Sequence, residues 1–106
     1  MYSATFIFKK KMFDEAFHKL DQSIAEFARQ TTDYIGEETR ENSVTGCVSN
    51  TYYWKSMDGL QELMQHPKHL EAKANQGKWL DGYQVVISQV LRVYGDGQIA
   101  HPAAQS

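Results

Sequence analysis

The sequence predicts an α+β domain of the ferredoxin-like kind, β-α-β-β-α-β, with a four-stranded antiparallel sheet and helices on one face. Three observations lead there. Residues 2–10 carry one plainly apolar face, residues 33–54 read as a hairpin of a polar strand and a β-branched and aromatic one, and residues 82–95 read as a strand apolar on both faces. Between them lie two stretches whose apolar residues recur at spacings of three and four, the period of helices. The two kinds follow one another in the order that defines the fold, within 106 residues that are 42% hydrophobic and 23% charged, a composition that suits one globular domain. We place that domain at residues 1–97 and a tail at 98–106.

The first strand carries Tyr2, Ala4, Phe6 and Phe8 on one side, against Ser3, Thr5 and Lys9 with Ile7 on the other. From Phe13 the period changes: Phe13, Phe17, Leu20, Ile24, Phe27 and Ala28 form the stripe of an amphipathic helix that ends near Thr31. Asp14 and Glu15 suit its first turn, where the helix dipole favours negative charge. Residues 33–42 read as a polar strand whose run "GEETRE" looks like a solvated edge. "ENSVTG" supplies turn residues and "CVSNTYYW" resumes with β-branched and aromatic side chains, so the pair is a hairpin.

Ser56 can cap a helix with Met57, Leu60, Leu63 and Met64 on one face. Pro67 is tolerated only in the first turn of a new helix, which makes His66 a break and Lys68 the start of a second short helix ending at Gly77. The last strand, "GYQVVISQVLRVYG", is apolar on both sides: Tyr83, Val85, Ile87, Leu91 and Val93 alternate with Val86, Val90 and Tyr94. Two helices cover one side only. A second copy of the chain would cover the other, so a homodimer with facing sheets is expected, and Trp79, Tyr83 and Tyr94 are candidate anchors. "GDGQIAHPAAQS" loses periodicity and reads as a mobile or exchanged tail.

Eleven basic against thirteen acidic residues give no general attraction to nucleic acid or anionic lipid, and Lys9, Lys10 and Lys11 read as a solvated strand end. A lone Cys47 excludes an internal disulfide framework. With no signal-peptide pattern and no apolar run long enough for a bilayer, the expected location is the cytoplasm, with no membrane partner.

"YYWKS", "HPKHLEAK" and "GYQVVISQVLRVYG" resemble the antibiotic-biosynthesis-monooxygenase superfamily of dimeric α+β barrels, over residues 2–97. The resemblance implies a cofactor-independent oxygenase acting on a small aromatic or quinol-type substrate, or a non-catalytic small-molecule-binding or interaction protein on the same dimeric scaffold. The haem-degrading branch of that superfamily is a poor match. Its tryptophan and histidine positions fall on Leu63 and Lys73, and no asparagine precedes Asn42, so no haem and no other cofactor is expected.

For cofactor-free oxygenation a protein needs a base, a dry cavity and donors for the developing anion. His69 and Tyr52 are the candidate catalytic groups; Trp54 and Arg92 are candidate substrate contacts. Strand aromatics such as Tyr52 and Trp54 also serve as core, and the sequence leaves both roles open. His66 and His69 stand three apart, a spacing that can hold a metal, but no third ligand completes a set, and no metal is expected. The alternative has His66 ending a helix and His69 pairing with Glu62 or solvent.

Overall fold

A computed structural model describes residues 1–102, apart from the Lys10 side chain. The order is β1 (Tyr2–Lys10), α1 (Glu15–Ala28), β2 (Tyr34–Glu41), β3 (Cys47–Trp54), α2 (Met57–Gln65), α3 (Pro67–Ala74), the single turn α4 (Gln76–Trp79) and β4 (Leu80–Gln89). The strands form one antiparallel sheet in the order β2-β3-β1-β4, the ferredoxin-like arrangement that the sequence implies.

Register decides which side chains share a face. Ala4 stands opposite Tyr52 and Ile87, Phe6 opposite Asn50 and Val85, and Phe8 opposite Tyr83, so these residues all point to the helices. Ala4, Tyr52 and Trp54 there meet Ala28, Leu60 and Leu63 in the buried core. α1 starts where the Asp14 carboxylate accepts from the Phe17 N–H at 2.9 Å. It ends at Ala28, three residues before the expected Thr31, because Thr31 has other work. The Thr31 hydroxyl donates to the Ala28 carbonyl at 2.5 Å and accepts from Trp54 Nε1 at 2.7 Å, tying the end of α1 to the end of β3.

Trp54 is wholly buried. Its ring lies against Gly59, where an added Cβ would come within 2.4 Å of Trp54 Cδ1 and 2.1 Å of the Thr32 carbonyl, so only glycine lets α2 approach this closely. Ser56 occupies the N-cap position of α2, but its hydroxyl donates to Asp33 at 2.8 Å instead of capping the backbone. His66 does the capping for α3, with Nδ1 accepting from the Lys68 N–H at 3.1 Å and Pro67 at the first position. Gly77 does not end the helical region as expected; it lies inside α4.

The last strand departs from the sequence reading. It begins earlier, at Leu80, and ends at Gln89, because its partner runs out: Gln89 stands opposite Tyr2, and Val90 N–H donates to the Met1 carbonyl at 2.8 Å. Leu91, Val93 and Tyr94 therefore continue past the sheet and are exposed. Within β4 the two sides are unlike. Tyr83, Val85 and Ile87 face the helix side yet stay exposed, since the long helices pack over the rest of the sheet. On the other side Val86 lies between polar Gln84 and Ser88.

That outer face is largely hydroxylic. Thr5 and Thr51 hydroxyls meet across the strands at 3.0 Å, with Ser3 and Ser49 as neighbours along β1 and β3. Tyr53 is buried here: its hydroxyl donates to Glu38 Oε1 at 2.8 Å and lies 3.1 Å from His101 Nε2, while Pro102 packs on Gly36. Of the expected tail, residues 98–102 are described and 103–106 lie outside the described residues.

Candidate functional site

A cavity of about 360 Å3 opens between the helix side of the sheet and α1, α2 and α3. Phe6, Tyr52, Asn50 and Val85 form its strand floor; Phe17, Asp21 and Ile24 supply the α1 wall; Met64, His69 and Trp79 close the other sides. The volume is at the small end of the range for sites that hold small organic ligands, and the lining is mainly apolar with a few convergent polar groups. Phe17 meets Trp79 edge-on at 5.6 Å and Phe6 meets Tyr52 at 5.9 Å, so aromatic rings make up much of the wall.

His69 reaches the cavity from α3 and lies edge-on to Phe6, ring centroids 5.3 Å apart. Burial, with help from Lys73 and His66, holds its imidazole below the usual histidine value. It is therefore neutral at pH 7, the form that accepts a proton. The alternative in which His69 pairs with Glu62 does not occur among the described contacts. Glu62 instead accepts from the Thr32 N–H at 3.0 Å and from its hydroxyl at 2.6 Å.

Tyr52 shares the cavity with His69. Burial, then the charges of Glu37 and Asp21, raise its phenol well above the ordinary value, so it can donate a hydrogen bond but not act as a base near neutral pH. Trp54 and Arg92 stand elsewhere. Trp54 lies in the core with its indole N–H spent on Thr31, and Arg92 is on the exposed segment beyond β4, donating to the Tyr94 hydroxyl at 2.9 Å. Neither lines the cavity.

Sequence reasoning passed over Asp21 and Asn50 as site residues and assigned Trp79 to an interface. Trp79 is a buried wall residue of the cavity instead. Asp21 and Asn50 also line a smaller polar recess of about 180 Å3, together with Tyr52, Arg29, Glu37 and Thr39. "GEETRE" is thus not simply a solvated edge, for Glu37 and Glu38 are half-buried and both reach this recess. Arg29 donates to Glu37 through Nε at 2.9 Å and through its terminal nitrogen, which commits the cation lining the recess. Asn50 Oδ1 accepts from the Thr39 hydroxyl at 2.8 Å, leaving its amide N–H groups as donors. A signal for Asp21 was present: a carboxylate four residues after Phe17 and three before Ile24, inside an apolar stripe.

Among the described residues no group of three or more His, Cys, Asp or Glu could hold a metal. The two histidines are divided: His66 caps α3 and lies tilted against Phe27, ring centroids 3.7 Å apart, while His69 faces the cavity. No helix among the described residues is long and apolar enough to cross a membrane.

No family model matches the sequence, and no curated protein matches it closely. Solved structures do match. Rv0793 from Mycobacterium tuberculosis superposes with TM-score 0.71 at 17% identity, covering 89% of this chain and 98% of that one. A Deinococcus radiodurans protein with the provisional description antibiotic biosynthesis monooxygenase gives TM-score 0.72 at 12% identity, over 90% of this chain and 97% of its own. SnoaB, a cofactor-independent oxygenase from Streptomyces nogalater, gives 0.67 at 12% identity, over 87% and 94%. The chain has the α+β fold of the antibiotic-biosynthesis-monooxygenase structures.

Proposed function

We propose that the chain is a cofactor-independent oxygenase-like protein acting on a small aromatic or quinol-type substrate held in the cavity beneath α1 and α3. The observation that carries this reading is a neutral, half-buried His69 set into an aromatic-walled cavity. His69 would take the proton from a phenol or enol, and the resulting anion would pass electrons to oxygen. For oxidation of a ring CH2 to C=O, one oxygen atom forms the carbonyl and the other leaves as water. All four electrons come from the substrate. Apolar walls would keep bulk water from the anion, while the Tyr52 hydroxyl would donate to its oxygen.

The likeness of fold to SnoaB supports this reading as an analogy of scaffold. A second reading, non-catalytic binding of the same ligand class, is favoured by one observation: among the described residues no hydrogen bond orients the His69 ring, which meets Phe6 edge-on. Either reading belongs to a homodimer in the cytoplasm with Cys47 reduced. Oxygen uptake against a panel of dihydroxy-aromatics separates the two. Uptake that His69→Ala abolishes supports the oxygenase; ligand binding without uptake leaves the binding protein.

A further inference from the structure

We infer that Asp21 sets the ligand preference of the cavity, accepting a hydrogen bond from the hydroxyl of a neutral phenol and turning away aryl carboxylates. The inference rests on the cavity reading above and adds a specificity-determining residue to it. Asp21 projects from the apolar stripe of α1 and lines both the cavity and the polar recess that adjoins it. Among the described residues no side chain hydrogen-bonds or ion-pairs with its carboxylate. Arg29, the cation that lines the recess, is committed to Glu37. A half-buried carboxylate without such a partner is unfavourable for the fold, and a ligand donor arriving through the cavity relieves that cost.

The neighbouring charges strengthen the choice. Burial raises the Asp21 carboxyl most and the charge of Glu37 adds to it, while His18 alone pulls the other way, so the carboxyl sits above its usual range. Such a group is a strong acceptor from a neutral O–H, because the bond is charge-assisted. Toward a second carboxylate it is repulsive in a medium that screens poorly. Lys73 also lines the cavity, but it is exposed on α3 and its charge is hydrated, which weakens its pull on an anion. Asn50 supplies the complementary donor: a ligand hydroxyl other than the one His69 would deprotonate donates a hydrogen bond to Asp21 and accepts from the Asn50 amide with the same oxygen.

Three naphthalenes of nearly one shape test this: 1-naphthol, 1-methoxynaphthalene and 1-naphthoate, with affinities measured by titration calorimetry on the full chain. Wild type should bind naphthol about tenfold tighter than the methoxy ether, although the ether is the more apolar, and should bind naphthoate weakest. Asp21→Asn should cut the naphthol preference severalfold, and Asp21→Leu should abolish it. Both should improve naphthoate binding. Ratios taken within one variant do not depend on how stable that variant is. Unchanged ratios in both variants, or naphthoate binding wild type as tightly as naphthol, would overturn the role of Asp21 while leaving the cavity as the site. Failure of all three probes to bind would remove the cavity reading and this inference together.

Discussion

Replacing Trp54 with alanine removes the largest wholly buried side chain in the described structure. The indole covers Gly59, tilts against Tyr52 at 6.2 Å and closes the link from β3 to the end of α1 through Thr31. Truncating a buried tryptophan costs about 3–5 kcal/mol through lost transfer energy and a residual cavity. The Thr31 hydrogen bond contributes about 1 kcal/mol of this, which places the variant at the upper end. Against the roughly 5–15 kcal/mol available to a small domain, that is enough to leave it barely folded. Urea unfolding followed by far-ultraviolet circular dichroism measures the difference, with Trp54→Phe as the control that keeps most of the area and loses the hydrogen bond. His69→Ala should lose under about 1.5 kcal/mol, since a half-buried imidazole facing a cavity leaves little new void. A loss below about 1 kcal/mol for Trp54→Ala, or equal losses for both residues, would refute the division between scaffold and site.

If His69 is the base, kcat/KM should fall on acidification with a midpoint below the ordinary histidine value, because burial makes the imidazole harder to protonate, and His69→Ala should remove that limb; a midpoint above pH 7 would contradict it. Asp21→Asn should raise the urea midpoint at pH 7. The folded carboxyl titrates above its unfolded value, so its ionised form weakens the fold at higher pH and the gap should close once pH drops below the carboxylate range; a lowered midpoint at pH 7 would count against the account of Asp21. On the outer face, Val86→Lys should dissociate the proposed homodimer, which light scattering would register as halved mass; a wild-type monomer at micromolar concentration would end that proposal.

The elements whose period is local were legible. β1 and β3 alternate as written, and Asp14 marks the start of α1 where the dipole argument puts acidic residues. What escaped was decided by partners distant in sequence. The apolar alternation of Leu91 and Val93 continues the strand pattern perfectly well, but no strand lies opposite it once β1 begins at Tyr2. Tyr52 and Trp54 are two apart and share a face, so their sequence context is the same. One meets the cavity and the other Gly59, a distinction set by where α2 crosses. Asp21 was readable in principle, since a charge within an apolar stripe is informative, yet its role depends on Glu37 having already claimed Arg29.

The strand that begins at the second residue lies at the centre of the sheet, with Tyr2 opposite Trp54 on one flank and Gln89 on the other. The β2–β3 hairpin can close as soon as it is made, while β1 must wait for partners drawn from the far half of the chain. During synthesis β1 emerges before either of its partners, and until β4 follows the apolar row of Ala4, Phe6 and Phe8 lacks one of its two flanks. The same geometry makes β1 intolerant of truncation. Loss of its residues would unzip the interior of the sheet and not its margin.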